Sequence, residues 1–297
     1  MSEGRDEVRC EDEPAQPGSL AARAFIVTGG GRGIGRATAL CLAERGACVL
    51  VNDLGCEVDG SGSDPGFAEA VVAEIAASGG RAVASCLDAS RAENVAALLQ
   101  RSLDHFGRFD GAVAAAGIRR DRRLLKMSSD DLEALVQTHL YGAFHLIRVG
   151  AEHLRAQRRG GSIVLMAASS AFFGARSESN LAASSAAVVA LARSASAELR
   201  KDGIRINCVV PTARTRQTEG SPLLRDRLGT TKGPEHVAPL VAFLLSEAAA
   251  KIHGEVLGVA GPRIYGLHGR ETTGAFAPGG RFEPHAILDS WDEITRG

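Results

Sequence analysis

The stretch TGGGRGIG, from Thr28 to Gly35, is the part of this sequence whose residue types and spacing most directly indicate chemistry. It follows the apolar run AFIV and precedes the helical pattern GIGRATALCLAERG, so it predicts a strand, a tight turn and a helix in succession. Glycines let the backbone approach a pyrophosphate closely, and the helix N-terminus offers unpaired N–H groups and a positive dipole end. The stretch therefore predicts a dinucleotide phosphate site, with a tight turn that holds no ligand as the alternative.

Two aspartates end the next two predicted strands and extend this site toward a nucleoside. Asp53 follows the apolar run ACVLVN, and Asp88 follows RAVASCL. A carboxylate at the end of the second strand accepts hydrogen bonds from the adenosine ribose and repels a 2′-phosphate, so Asp53 favours NAD over NADP. Arg32 in the glycine turn opposes that preference, and a strand-end turn residue is the alternative role for Asp53. Asp88 stands where a side chain could reach the adenine amino group.

The elements that position these residues alternate regularly between residues 24 and 261. Seven short apolar runs are typical of buried strands, and the stretches between them carry helical patterns with caps at their ends. One long helix is predicted to begin at the Ser-Asp residues after position 128 and to continue to about residue 157. The alternation predicts the α/β class, with a Rossmann-type doubly wound parallel sheet of about seven strands and helices on both faces.

Composition divides the chain into three segments. Residues 1–21 are acidic and polar, which predicts a disordered N-terminal segment rather than a signal peptide. Residues 22–261 are expected to form one Rossmann-fold domain. Residues 262–297 have mixed composition and end in HAILDSWDEI, and we expect this C-terminal extension to pack on the cleft or on a subunit interface.

The bulk composition excludes several classes of protein. The net charge of −1 gives no basic excess for a nucleic-acid or anionic membrane partner. No apolar run reaches the roughly 18 residues that a membrane span needs. The cysteines form no C-x-x-C pair and lie mostly in apolar runs, which favours a reducing cytoplasm as the location. No His, Cys and carboxylate spacing indicates a metal site.

Together the motifs resemble the short-chain dehydrogenase/reductase family over about residues 22–261. T-G-x-x-x-G-x-G is present, AAAG stands where the family has N-N-A-G, and IRINCVVPTARTRQT is similar to the family's sixth strand and nicotinamide loop. VNDLG and THLYGAF are most similar to the hydroxyacyl-CoA dehydrogenase and 3-oxoacyl reductase branch. The resemblance implies NAD as the cofactor, with NADP less favoured. The contacts expected with NAD come from Gly29, Arg32, Gly33, Ile34, Gly35, Asp53, Asp88, Ala115, Gly117, Pro211 and Thr212.

The resemblance also implies a catalytic set that this sequence lacks. In the family, a tyrosine exchanges a proton with the substrate oxygen, a lysine four residues later lowers the pKa of that tyrosine, and an earlier serine binds the substrate oxygen. The run SNLAASSAAVVAL matches the family's helix, which puts Leu181 at the tyrosine position, Ser185 at the lysine position and Ala168 at the serine position. No Y-x-x-x-K occurs anywhere in the chain. The resemblance therefore predicts a degenerate catalytic site.

Two residues are candidates for replacing the lost groups. His139 stands where the family usually has asparagine, and a histidine titrates near neutral pH. Ser169 adjoins Ala168, so a one-residue change in the loop would bring its hydroxyl into the site. An inherited packing or water-binding histidine is the alternative role for His139. The basic run RRDRRLLKM, residues 119–127, could meet a phosphate-bearing substrate, although a solvated loop also explains it.

Three functions follow from these observations. The first is a divergent family member that binds NAD(H) and a small molecule in the cleft but lacks conventional hydride transfer, as a non-catalytic subunit or a repurposed enzyme. The second is an active NAD-dependent oxidoreductase with an unusual acid, and the third is a non-redox lyase or cyclase. Family members pair through two long helices, so we expect a homodimer or tetramer, or a hetero-oligomer with an active relative.

Overall fold

The sheet in the computed structural model, which describes residues 19–219, 233–269, 271–277 and 280–296, has the strand order β3-β2-β1-β4-β5-β6-β7-β8. The first seven strands are parallel to their neighbours, and β8 is antiparallel to β7. The strands are β1 Ala24–Thr28, β2 Cys48–Asn52, β3 Arg81–Ser85, β4 Gly111–Ala114, β5 Gly161–Met166, β6 Ile204–Thr212, β7 Val256–Ala260 and β8 Arg263–Gly266. The prediction of a doubly wound parallel sheet is confirmed.

The helices up to residue 266 cover both faces of this sheet, and two more lie in the C-terminal part of the chain. They are α1 Gly33–Ala43, α2 Gly66–Ala77, α3 Ala92–Phe106, α4 Ser129–Leu135, α5 Gly142–Gln157, α6 Ser170–Phe173, α7 Ser179–Leu199, α8 Ala238–Leu245, α9 Pro284–Asp289 and α10 Trp291–Arg296. Helices α1, α2 and α8 share one hydrophobic core with alternate residues of the central strands. Helices α3, α5 and α7 pack with β1, β4 and β6. The continuous apolar strands are explained by this burial on two faces.

The eighth strand is a feature that the sequence pattern did not predict. Gly261 and Pro262 form a two-residue turn, with Gly261 at a φ of +58°, and the hairpin pairs Ala260 with Arg263. Because β8 has only four residues and is mostly exposed, it carries no apolar run that could have signalled a strand. The sheet therefore extends to Gly266, beyond the predicted domain end at residue 261.

The predicted long helix after residue 128 is interrupted. Its start is as expected, since the Ser128 hydroxyl accepts from the N–H of Asp131 and the Asp131 carboxylate accepts from the N–H of Ser128. Between α4 and α5, however, residues Val136–Tyr141 form a π-helical turn. Such turns are rare and frequently lie at functional sites. Since one widened turn leaves the apolar periodicity almost unchanged, the sequence pattern could not reveal it.

The folded domain begins at or before residue 19, and residues 267–297 form a unit of their own. Leu20 is fully buried and its N–H donates to the Arg45 carbonyl at 3.0 Å, so residues 19–21 are part of the folded domain. The predicted disorder of residues 1–18 lies outside the described residues. Residues 267–297 form a separate compact unit that contains α9 and α10. Its predicted packing on the cleft or on a subunit interface stays a prediction. Among the described residues, no helix is both long and apolar enough to cross a membrane.

Candidate functional site

A cavity of about 300 Å³ lies at the carboxyl ends of the central strands. The chain leaves β1 toward β2 on one side and reaches β4 on the other, and an open α/β sheet binds ligands in the crevice at such a reversal of strand order. The cavity is lined by the ends of β1 and β2, the start of α1, the loops after β3 and β4, the π-helical turn and the loop Thr215–Gln217. We refer to this cavity as the crevice.

The glycine turn is packed backbone against backbone, as its predicted phosphate-binding role requires. A Cβ on Gly29, which has a φ of +66°, would lie 2.7 Å from the Ala115 carbonyl oxygen, and a Cβ on Gly35 would lie 2.0 Å from the Gly29 oxygen. Gly33, Ile34 and Gly35 line the crevice at the first turn of α1. No side chain caps α1, so its first N–H groups remain available to a ligand. These residues fit the phosphates of a dinucleotide.

Asp53 and Arg32 lie together at the β2 end of the crevice. The Asp53 carboxylate accepts hydrogen bonds from the Gly31 N–H at 2.9 Å and the Gly55 N–H at 2.8 Å. The Arg32 guanidinium lies 3.6 Å from that carboxylate, donates to the Cys56 carbonyl at 2.7 Å and stacks on the Phe67 ring. Asp53 therefore anchors the turn as well as lining the crevice, so the turn role and the ribose role are compatible.

The other predicted cofactor residues divide into two groups. Asp88, Ala115 and Gly117 line the crevice, and the Asp88 carboxylate also accepts from the Ser90 N–H. Pro211 and Thr212 are paired with β7 and are not among the residues that line it, so their cofactor contact stays a prediction.

The loop after β6 supplies lining residues that the sequence analysis did not single out. Gln217 Nε2 donates to the Gly117 carbonyl at 2.6 Å, and Arg216 donates to the Cys56 carbonyl at 3.0 Å. Thr215 completes this lining and faces Gly33. The run TRQT indicated a ligand-binding loop at this place, but the sequence alone could not show which of its residues turn toward the crevice.

His139 lines the crevice from the π-helical turn. Its Nε2 lies 3.1 Å from the Ile118 carbonyl oxygen, and its ring would lie 2.8 Å from a Cβ on Gly117. Burial lowers the pKa of His139 and the nearby Arg119 lowers it further, against the opposing effect of the Ile118 carbonyl. A neutral imidazole fits this environment, since Nε2 can donate to the Ile118 carbonyl in one tautomer and accept from the Ile118 N–H at 3.3 Å in the other. His139 is therefore a poorer proton source at neutral pH than a histidine with an ordinary pKa.

Ser169 is not brought into the crevice. It is exposed, it immediately precedes the short helix α6, and it is not among the residues that line the cavity. The one-residue shift that would have placed its hydroxyl beside the substrate does not occur, because β5 and α6 fix the register of residues 166–170. Its placement gives a catalytic role no support.

Leu181 lies in a small apolar cluster behind the wall of the crevice. It is 6% exposed and packs with Ile118 and Leu135, and Cys56, Ala134 and Ala168 pack against these three. We call these six residues the apolar cluster. Ile118, Cys56 and Ala134 also line the crevice, whereas Leu181 and Ala168 do not. The three positions that would carry tyrosine, lysine and serine thus contribute no polar side chain to the cavity.

A hydrogen bond joins two of these positions. The Ser185 hydroxyl is buried and accepts from the Ala168 N–H at 3.1 Å. Next to Leu181, the fully buried Asn180 donates from Nδ2 to the carbonyls of Arg120 and Asp131, at 2.9 and 3.2 Å. These contacts hold α7 against the loop after β4 and keep Leu181 in the apolar cluster.

No metal chemistry is indicated by the part of the chain that the structure describes, since it contains no group of three His, Cys, Asp or Glu residues arranged to hold an ion.

Comparison with known proteins finds relatives over most of the chain. The family model described as enoyl-(acyl carrier protein) reductase matches residues 29–261. The peroxisomal multifunctional enzyme type 2 of Mus musculus is 36% identical over 282 residues, which are 94% of this chain and 37% of that protein. A 3-oxoacyl-(acyl-carrier-protein) reductase of Synechocystis is 34% identical over 252 residues, which are 83% of this chain and 98% of that protein. The chain thus matches a minor part of the first relative and nearly all of the second.

The crystal structure of a short chain dehydrogenase from Mycobacterium avium has the same architecture. It superposes with a TM-score of 0.81 at 34% sequence identity, over 92% of this chain and 94% of that chain.

The contact between Gly35 and Gly29 gives a first prediction. Replacing Gly35 with Ala forces the turn and α1 apart, and we expect the free energy of unfolding to fall by about 1–3 kcal/mol, the usual cost of overpacking. NAD affinity, measured by calorimetry, should fall with it because the phosphate N–H groups move. Gly269→Ala is the control, since no atom lies within 4 Å of its added Cβ. Unchanged stability and affinity in Gly35→Ala would contradict the packing described.

The lowered pKa of His139 gives a second prediction. The unfolded chain binds the proton more readily than the folded protein does, so the stability that His139 contributes is present above about pH 6.5 and is lost as the pH falls toward the folded pKa. His139→Gln keeps a donor for Ile118 without titrating. When the pH is lowered from above to below about 6.5, chemical denaturation should show a smaller loss of stability in His139→Gln than in the wild type. The exposed His285→Gln should behave like the wild type, and an equal loss in all three proteins would count against a lowered pKa.

Proposed function

This chain belongs to the short-chain dehydrogenase/reductase family, and from that premise we propose that it binds NAD(H) in the crevice without performing the family's usual hydride transfer. In this role it is a non-catalytic subunit or an enzyme adapted to another reaction. The observation that carries the proposal is Leu181, which is buried in the apolar cluster at the position of the family's proton donor.

The chemistry of carbonyl reduction explains why this observation matters. Hydride delivery to a carbonyl carbon leaves negative charge on the oxygen, which must be protonated or stabilised by a donor. A general acid contributes about 10²–10⁴-fold to such a rate, and an oxyanion donor contributes about 10²–10³-fold more. Leu181 and Ala168 have no donor in their side chains, and the Ser185 hydroxyl, which accepts from the Ala168 N–H, is buried and does not line the crevice. The described residues at these positions therefore offer the oxygen no side-chain proton.

The nucleotide half of the proposal is supported by the glycine turn, the uncapped start of α1 and Asp53. These groups are those that the phosphates and the ribose of a dinucleotide require. When bound, NAD would supply the hydride chemistry, and Gly33, Gly35 and Asp53 are the residues that would hold it. The side chains of Leu181 and Ala168 take no part in those contacts, because neither residue lines the crevice.

The alternative of an active oxidoreductase rests on His139 as the acid. His139 is the one crevice residue among the described side chains with a group that titrates near neutral pH. Its Nε2 is engaged with Ile118, and its lowered pKa keeps it neutral, so it is poorly suited to donate a proton. A cytoplasmic location and pairing through α5 and α7, with a second copy or an active relative, remain part of the proposal.

Binding and turnover can be separated by experiment. We expect wild-type protein to bind NADH in calorimetry and to oxidise it no faster than background with a 3-oxoacyl thioester. Gly35→Ala is the control, since it should lose the binding. Turnover by the wild type that disappears in Gly35→Ala and in His139→Gln would establish the active alternative instead.

The choice of cofactor gives a further prediction. Because the Asp53 carboxylate faces the ribose end of the crevice, we expect NAD to bind more tightly than NADP. Asp53→Asn keeps an acceptor oxygen for one of the two turn N–H groups and removes the charge that repels a 2′-phosphate. Arg32 then lies next to an uncharged side chain, so the NAD-to-NADP affinity ratio should fall by about tenfold, the effect of losing one repulsive pair in a partly buried site. An unchanged ratio, measured by calorimetry with both cofactors, would show that Asp53 does not set the preference.

A further inference from the structure

The basic run of residues 119–127 divides into members that are neutralised and members that are not. Arg119 is nearly buried and forms ion pairs with Asp121 and Glu178. The pair with Glu178 fastens the start of the run to the start of α7. Arg119 therefore has a structural role and is not available to a ligand.

Three neighbouring arginines have a different environment. Arg120 Nε donates to the Asp59 carbonyl at 2.7 Å, and Arg122 donates to the Asp121 carbonyl at 2.9 Å. Arg216, from the loop after β6, donates to the Cys56 carbonyl. In the described part of the chain, none of the three forms a salt bridge. Because a carbonyl has no net charge, these guanidinium groups keep their positive charge without a direct counter-ion.

The three arginines line the same cavity. It has a volume of about 460 Å³ and opens beside the crevice, and we call it the outer pocket. Its other charged lining residues are Arg119, Asp59, Asp121 and Asp131. Arg120, Arg216 and Gln217 also line the crevice, so the two cavities share a wall.

The carboxylates of the outer pocket are already engaged. Asp59 accepts from the N–H and the hydroxyl of Ser61, at 2.9 and 2.7 Å, and Asp131 accepts from the Ser128 N–H. Asp121 pairs with Arg119. Four arginines and three aspartates line the pocket, which leaves one net positive charge and three guanidinium groups with unused N–H donors.

We propose that the outer pocket binds the phosphate groups of a small phosphorylated ligand. A guanidinium group presents paired N–H donors that match phosphate oxygens, and a cluster of such groups from different loops recognises phosphate in preference to a single carboxylate. The shared wall formed by Arg120 and Arg216 lets the rest of such a ligand extend toward the crevice. The outer pocket includes none of Gly33, Gly35 and Asp53, which would hold NAD, so its ligand can be tested independently of the function proposed above.

Calorimetric titration of the full chain with inorganic pyrophosphate tests the proposal. Arg122→Gln removes an exposed guanidinium from the outer pocket with little risk to folding, and we expect it to weaken binding about tenfold. Arg123→Gln is the matched control, since Arg123 adjoins Arg122 in sequence but does not line the pocket. Arg32→Gln is the control for the crevice, where pyrophosphate could also meet the glycine turn. Arg123→Gln should leave the affinity within about twofold of wild type, because an exposed charge outside the site contributes little. A loss of affinity in Arg32→Gln would instead report pyrophosphate bound at the glycine turn.

Several results would overturn the proposal. They are an absence of binding by the wild type at millimolar pyrophosphate, an equal loss in Arg122→Gln and Arg123→Gln, or a loss in Arg32→Gln alone. A parallel titration with malonate separates phosphate from carboxylate recognition. If malonate binds as tightly as pyrophosphate, the pocket does not select phosphate and the proposal is wrong. Loss of NAD binding in a separate titration would leave these outcomes unchanged.

Discussion

Contact of backbone with backbone at the glycine turn is the constraint on which the geometry of the crevice depends. Gly35 lies so close to Gly29 that no side chain fits between them, and Gly29 in turn lies against Ala115 and Ala116. This packing brings the start of α1 to the ends of β1 and β4, at the point where the order of the strands reverses. Any widening of the turn would move the first N–H groups of α1 away from the cavity. The hydrophobic core on either face of the sheet then holds this arrangement in place.

Where α7 packs near the loop after β4, apolar side chains form the wall of the crevice. Buried Asn180 ties α7 to the loop after β4 and to α4, and its neighbour Leu181 fills the space between Ile118 and Leu135. The buried Ser185 hydroxyl accepts from the Ala168 N–H and links α7 to the end of β5. Leu181 and Ala168 thus form part of a packed apolar wall. The side chains of Leu181, Ser185 and Ala168 do not line the crevice, so the cavity has no polar side chain from these three positions.

Charge is distributed unevenly around this wall. Arg32 and Asp53 lie close together at the β2 end of the crevice, where each offsets the charge of the other. Arg120, Arg122 and Arg216 instead converge at the outer pocket with only carbonyl partners among the described residues. Because charge-assisted contacts are strong in a partly enclosed site, the outer pocket is the place where an anion gains most. The molecule therefore combines a glycine turn at the crevice with a separate arginine cluster at the outer pocket.

The sequence by itself determined the sheet, the glycine turn, Asp53 and the three replaced positions. Strand burial on two faces produces apolar runs, a tight turn demands glycine, and the absence of Y-x-x-x-K can be counted directly. Only the tertiary structure decided the π-helical turn at His139, the exposure of Ser169 and the lining by Thr215–Gln217. It also separated Arg119 from Arg120 and Arg122, which look alike in sequence. The direction of a side chain and the identity of its partner depend on residues distant along the chain, and periodicity carries no information about them.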